Sequence, residues 1–342
     1  MKARYIIIPI TVITVLIASA LSYAYYIIMY PQTELEDTTY IYIYPHDTSE
    51  SIIEKLENID GVKCTKGFKI IAAYNNFDRQ KRTGRYAIYD KDNMRAIYRR
   101  IVSNQQTPVK ITLPAARTIE QFIAAAGNQL MIDSVELIQL VMQPTLYDSI
   151  GYTKETLPSL FLPNTYEVYW NISTEQFMQR MIKEHRAFWS DSRLAKAKAI
   201  GLTPEEVSTL ASIVDEETNN HEEKPMVAGV YINRLKRGML LQADPTVKYA
   251  IGDFTRKRIL NDDLNIESPY NTYRYKGLPP GPIRIPTLQA IESVLNYTKH
   301  NYIYMCAKED FSGKHNFATN LASHNANARR YQQALNKLRI KR

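Results

Sequence analysis

From residue 5 to residue 30 the chain runs 26 positions without a charged side chain. As a helix this run would reach about 39 Å, more than the roughly 30 Å of bilayer hydrocarbon, so the pattern predicts a transmembrane helix over residues 5–30. Tyr5 at one end and Tyr23, Tyr25, Tyr26 and Tyr30 at the other resemble the aromatic belts that sit at the two headgroup regions. Ala18-Ser19-Ala20 would suit signal cleavage, but the apolar run continues to Met29, past the about 7–15 residues of a signal-peptide core, and an uncleaved anchor is expected. Lys2 and Arg4 precede the run while Glu34, Glu36 and Asp37 follow it, which places residues 1–4 in the cytoplasm and the rest outside.

Beyond the span the pattern changes to short alternating stretches. Tyr40-Ile41-Tyr42-Ile43-Tyr44 reads as a strand, residues 45–49 as a turn, and Ser51-Ile52-Ile53-Glu54-Lys55-Leu56 as a helix start. The order returns at Val109-Lys110-Ile111-Thr112-Leu113, a strand broken by Pro114, followed by a helix opening at Thr118-Ile119-Glu120-Gln121-Phe122-Ile123. Residues 68–73 and 84–89 supply further short segments, and residues 92–101 read as another helix. Residues 38–140 therefore form a small α+β domain that either binds glycan or spaces the next domain from the membrane. The boundary falls near 146, after Met142-Gln143-Pro144-Thr145, giving a module over 31–145 and a larger mixed α+β domain over 146–342.

The larger domain is clearest at Thr203-Pro204-Glu205-Glu206, a capping box with Thr as N-cap, Pro at the first helical position and an acid able to bond back to the cap. Val207, Leu210, Ala211 and Val214 then recur at i, i+3, i+4 and i+7, and extending this stripe reaches Glu217, while Asp215 and Glu216 fall off it and are expected to face solvent. A carboxyl on an apolar face loses hydration and holds its proton near neutral pH, as a general acid for glycosidic cleavage requires; a helix-end acid paired with Arg or Lys is the blander alternative. A second helix runs from about Pro225 to Gly238 and carries Asn233 and Arg234. Three turn-like segments follow: Leu241-Gln242-Ala243-Asp244-Pro245-Thr246, Ser268-Pro269-Tyr270-Asn271-Thr272-Tyr273 and Gly277-Leu278-Pro279-Pro280-Gly281-Pro282-Ile283. Their amides, hydroxyls and rings suit a sugar, as do Phe317, Asn320, Ser323, His324 and Asn325.

Composition narrows the choices. At 342 residues, 45% hydrophobic and 23% charged, the chain is no disordered tail and has length for two or three domains. The net charge of +8 suits an anionic surface such as wall polymer or phospholipid, yet it is spread without a basic block, and no nucleic-acid partner is expected. Cys64 and Cys306, the only cysteines, exclude a disulfide framework and any CxxC site; they read as two small buried hydrophobes, although an oxidising compartment permits one bridge. His221, His315 and His324 do not have the spacing of a compact ligand motif, so no metal or other cofactor is expected.

Six segments in order carry a family resemblance: Leu210-Ala211-Ser212-Ile213-Val214-Asp215-Glu216-Glu217-Thr218, Tyr231-Ile232-Asn233-Arg234-Leu235, Leu241-Gln242-Ala243-Asp244-Pro245-Thr246-Val247, Tyr270-Asn271-Thr272-Tyr273, Gly277-Leu278-Pro279-Pro280-Gly281 and Asn320-Leu321-Ala322-Ser323-His324-Asn325. Together they resemble the YceG-like endolytic transglycosylases, also called MltG. The resemblance implies a transmembrane helix, a LysM-like module and a catalytic domain that cleaves between N-acetylmuramic acid and N-acetylglucosamine in peptidoglycan strands, with 1,6-anhydro ends. It puts the catalytic acid at the Glu before Thr, which is Glu217, and suggests substrate contacts from Asn233, Gln242, Asp244, Thr246, Tyr270, Asn271, Tyr273, Phe317, Asn320, Ser323 and His324. Cell-wall synthases are the implied protein partners. One departure is Asn164 in Phe161-Leu162-Pro163-Asn164-Thr165-Tyr166, where the family usually has Asp, and Asn164 is left out of the site. Two rival readings stay open: a two-carboxylate hydrolase with Asp244 facing Glu217 at roughly 5–9 Å, and a non-catalytic wall-binding scaffold.

Overall fold

The computed structural model describes residues 2–255 and 259–337; Met1 and residues 338–342, at the two ends of the expected segments, lie outside the described residues. The chain is α+β and divides into two compact units, one of residues 1–111 with 167–172 and one of residues 112–166 with 173–342. The boundary expected near 146 thus falls inside the second unit. The chain leaves the first unit within one strand and revisits it briefly within another, which a single linear boundary does not separate.

The first unit begins with α1, Lys2–Met29, which contains the 21-residue stretch Pro9–Met29 of mean hydropathy 2.0, long and apolar enough to cross a membrane. There follow β1 (Thr39–Ile43), α2 (Ser49–Glu57), α3 (Lys66–Tyr74), α4 (Phe77–Gln80), β2 (Gly84–Ile88) and α5 (Met94–Val102), and the chain leaves along β3 (Val109–Leu113). β1 and β2 pair antiparallel from Thr39 opposite Ile88 to Ile43 opposite Gly84. Alternation in β1 sends Ile41 and Ile43 into a core with Ile52, Leu56, Phe68, Phe77 and Tyr86, and leaves Tyr42 outside. Thr48 and Asn93 cap α2 and α5 by accepting from Ser51 N and Ala96 N. Residues 68–73 are helical because Gly67, Phe68 and Ala72 share one inward face of α3, a period that six residues alone do not display.

In the second unit α6 (Ile119–Gly127), α7 (Ser134–Val141) and α8 (Pro144–Ser149) lead to a 3₁₀ turn at Leu157–Leu160 and to β4 (Asn164–Val168), which pairs with β3. Then come α9 (Thr174–Phe188), α10 (Asp191–Ile200), α11 (Pro204–Glu217), α12 (Lys224–Lys236), α13 (Asp244–Ile251) and a 3₁₀ turn at Asp262–Asn265. The fold closes with α14 (Leu288–Leu295), the hairpin of β5 (Tyr304–Ala307) and β6 (His315–Ala318), and α15 (Leu321–Lys337). One segment expected as a turn therefore begins a helix, at Asp244, since Pro245 in the first turn of α13 suits a helix start as well as it suits a loop.

α11 begins at the expected capping box, where Thr203 accepts from Glu206 N and the Glu206 carboxylate accepts from Thr203 N. It is a central helix packed by α10, α12, α13, α14 and the Leu157–Leu160 turn, and every residue from Val207 to Asp215 is buried. Its polar residues can be buried because their hydroxyls bond back along the helix, Ser208 to Pro204 O and Thr209 to Glu205 O, while Ser212 donates to Thr209 O and accepts from Ile283 N. The expectation that Asp215 and Glu216 face solvent is corrected here, because a helix enclosed on several sides has no free face. The cysteines are unbonded thiols, as the reading as small hydrophobes has it, but each is half-buried rather than buried.

Candidate active site

α11 places three consecutive acids at its C-terminal end, and the fold uses each differently. Asp215, 5% exposed, forms a buried ion pair with Lys224 of α12 and accepts from the backbone N and hydroxyl of Thr287 at the start of α14. Glu216 is clasped by Arg117 at 3.2 Å and Arg284 at 2.7 Å. Glu217 accepts one hydrogen bond, from the Tyr231 hydroxyl at 2.7 Å, and among the described residues no cation lies within salt-bridge distance of it. The helix ends immediately after it, with Thr218 in extended backbone.

Burial pushes the Glu217 carboxyl up from its ordinary 4.5 to about 7, and the negative charge of Asp244 adds to the rise. The Tyr231 bond and the charges of His315 and Arg234 pull the other way without cancelling it. Near neutral pH this group is divided between acid and carboxylate, so it can give a proton and later take one back.

Glu217 opens on a cavity of about 250 Å³ whose wall includes Tyr231 and Arg234 from α12, Gln242 and Asp244 before and at the start of α13, Tyr273, and His315 of β6. Each neighbour is fixed by its own partner. Tyr231 is 2% exposed, and burial together with the adjacent carboxyl raises its hydroxyl well above the usual phenol range, keeping it a donor. Arg234 donates to the Ile303 and Leu241 carbonyls at 2.6 Å each. The Tyr273 hydroxyl donates to Asp244 at 2.5 Å. His315 bonds through its backbone N and through Nδ1 to the two carboxylate oxygens of Glu223, both at 2.7 Å, which sets its ring. The Met305-Cys306-Ala307 stretch of β5 completes the wall.

Of the residues singled out from sequence, Glu217, Gln242, Asp244 and Tyr273 meet at this cavity, and the other eight do not line it. Asn233 donates to the His300 and Tyr302 carbonyls at 2.7 and 2.9 Å, tying α12 to the segment before β5. Thr246 is fully buried, donating to Ala243 O and meeting the Thr272 hydroxyl at 2.9 Å. Asn271, also fully buried, holds the Leu264 and Ile266 carbonyls. Tyr270 packs on Tyr249 with ring centres 4.7 Å apart, Phe317 on Tyr302 at 5.8 Å, and His324 stacks on Tyr304 at 5.2 Å. Asn320 accepts from Ser323 N at the start of α15.

Sequence reasoning did not pick out Tyr231, Arg234 or His315 as site residues. Tyr231 and Arg234 lie at i and i+3 on one helix, which would have suggested a shared polar edge. His315 offered no such signal, since only the β5–β6 hairpin and Glu223 bring it to the cavity.

An α+β architecture with a largely buried carboxyl that lacks a counter-ion among the described residues and faces a polar cavity defines a candidate acid–base site. The family model described as the YceG-like family matches residues 41–330, and the chain belongs to that family. It is 28% identical over 309 residues to an endolytic murein transglycosylase of Bacillus subtilis, covering 85% of this chain and 84% of that one. It is 30% identical over 307 residues to the endolytic murein transglycosylase of Streptococcus pneumoniae D39, covering 80% of this chain; it spans about half, 54%, of that relative. A crystal structure of a putative YceG-like protein from Listeria monocytogenes shares the fold, with TM-score 0.56 and 24% identity over 85% of this chain and 99% of that one.

Proposed function

We propose that this chain is an endolytic lytic transglycosylase that cleaves the bond between N-acetylmuramic acid and N-acetylglucosamine in peptidoglycan strands. The observation that carries the reading is the Glu217 carboxyl, raised to about 7 by burial and, among the described residues, bonded only to a neutral phenol. The Bacillus and Streptococcus relatives, both named endolytic murein transglycosylases, support the substrate class. Protonated Glu217 gives its proton to the glycosidic oxygen as the bond from that oxygen to C1 of the muramic acid breaks, and an oxocarbenium-like centre develops. The resulting carboxylate takes the proton of the sugar's own 6-hydroxyl, and O6 closes on C1. The products are one strand with a free 4-hydroxyl and one ending in 1,6-anhydro-muramic acid. Gln242, Asp244 and Tyr273 are the substrate contacts this reading favours, because they line the same cavity.

The second reading is a muramidase, favoured by the presence of Asp244 in the Glu217 cavity, where its charge is felt by the acid. Mass analysis of products from purified strands separates the two. Anhydro ends support the transglycosylase, whereas ends that reduce and carry one added water support the hydrolase and overturn the first reading.

The same proposal makes Pro9–Met29 a single-pass anchor in the cytoplasmic membrane, with residues 1–4 inside and residues 31–342 outside, where nascent strands and cell-wall synthases are met. Its length and hydropathy and the charge bias around it support this. Protease added to spheroplasts should degrade the bulk of the chain, and its protection would reverse the topology. The LysM-like reading of the first module is supported by two helices, α2 and α3, followed by the short α4, between the antiparallel strands β1 and β2.

A further inference from the structure

The anchor helix does not lead into a linker. Ala24, Ile27 and Ile28 lie on one face of its last turn, and Ile27 is 3% exposed because α3 and α5 pack there. Gly67 of α3 lies against the Ile27 carbonyl so closely that a Cβ at this position would clash with it. Asn93 Nδ2 donates to the Met29 carbonyl at 3.1 Å, satisfying a carbonyl at the helix end. The next residues are tied at once: Gln32 N to Asp92 O, Lys63 N to Gln32 O, Lys91 N to Thr33 O and Glu34 N to Gly61 O. If α1 spans the bilayer, α3 and α5 are fixed at headgroup level, since they grip the turn in which a helix of about 20 apolar residues leaves the hydrocarbon.

α3 is suited to that position. Lys66, Lys69, Ile70, Ala73 and Tyr74 fall at i, i+3, i+4, i+7 and i+8 and all are exposed. Ile70 and Tyr74 also follow Gly67 at i+3 and i+7, so they lie on the stripe that faces α1. Tyr74, 87% exposed, is the most exposed large apolar side chain among the described residues, and Ile70 is 46% exposed. A bilayer surface rewards this arrangement, since tyrosine is favoured at the headgroup level and lysines at anionic phosphates.

We propose that the outward face of α3 is a lipid-binding surface, with Tyr74 and Ile70 entering the headgroup region of the membrane crossed by α1 and Lys66 and Lys69 pairing with anionic phospholipid. The first unit is then a rigid extension of the anchor lying on the bilayer. The inference rests on the anchor reading above, and its test separates the two. The full chain, with Cys64→Ser and Cys306→Ser, carries one nitroxide label at a time through Leu16→Cys, Ile70→Cys or Tyr74→Cys in vesicles containing phosphatidylglycerol. Collision rates with oxygen, which concentrates in lipid, and with a water-soluble nickel chelate are compared. The expected result is a severalfold higher oxygen-to-nickel ratio at all three positions than for the free label. Adding Gly67→Ala, which drives α3 off the last turn, should lower the ratio at 70 and 74 and leave it unchanged at 16. A lipid-exposed label at 16 with water-exposed labels at 70 and 74 overturns the surface and keeps the anchor; a water-exposed label at 16 overturns the anchor.

Discussion

Asp92 in the first unit and Glu217 in the second are both acids withdrawn from most solvent, and their surroundings differ in kind. Asp92 meets Arg100 through both oxygens at 2.8 and 3.0 Å and accepts from Tyr89 N, so its charge is neutralised where it sits. Glu217 meets a phenol. A compensated buried acid holds elements together, as Asp92 joins α5 to the end of β2 and Asp215 joins α11 to α12 and α14. An uncompensated one costs stability and gains a proton affinity suited to neutral pH. Burial by itself therefore does not set the acid proposed for catalysis apart from the structural ones; the lack of a counter-ion among the described residues does.

The strongest way to break this comparison is Glu217→Gln, which keeps the Tyr231 contact and removes the proton. Strand cleavage should fall by at least about 10²–10⁴-fold, the usual worth of a general acid, since the same group also serves as base. Product release measured on purified strands decides it, and near-normal turnover would remove Glu217 from the chemistry.

Lys224→Met makes the converse change by leaving the Asp215 carboxylate buried and unpaired. Breaking such a pair costs about 3–5 kcal/mol, so the urea midpoint of the detergent-solubilised chain should drop sharply, and Arg100→Met should do the same in the first unit. Asp215→Asn is expected to destabilise as well, unlike a change at a solvent-facing acid. Unfolding curves that match wild type would show these pairs to be dispensable.

A smaller effect links the site to stability. Glu217 titrates near 7 in the fold against 4.5 when unperturbed, so the folded state binds its proton more tightly. Its stabilising share is complete below about pH 4.5 and is lost as pH rises through 7. Glu217→Gln should therefore exceed wild type in stability at pH 8, by up to about 3 kcal/mol, with the gap closing near pH 4.5. Equal stabilities at pH 8 would mean the carboxyl is better solvated than its surroundings indicate.

The smallest effects are shifts of the alkaline limb of activity. Asp244→Asn removes a charge that helps hold the proton and should move the limb to lower pH. Tyr231→Phe removes a bond that favours the carboxylate and should move it to higher pH. Shifts of the same sign in both variants would contradict the electrostatics of the cavity.

Local signals in the sequence were enough to fix several elements. The apolar run defined α1, alternation defined β1, and Thr203-Pro204-Glu205-Glu206 defined the start of α11, because capping and periodicity act within a few residues. The single-stripe argument that singled out Glu217 is weaker than it looked: α11 is enclosed on several sides, and the same argument misplaced Asp215 and Glu216. What separates the three acids is whether Lys224, Arg117 and Arg284 reach them, and those partners lie up to 99 residues away in the chain. The same holds for His315, which Glu223 orients across 92 residues, and for Asn271 and Thr246, whose polar groups turned inward to hold backbone. Sequence by itself determined where β1 and α11 begin and that a long apolar helix precedes an α+β chain. Only the tertiary structure decided which buried carboxyl is paired with a cation and which meets a phenol alone among the described residues, because that depends on the distance between groups far apart in the chain.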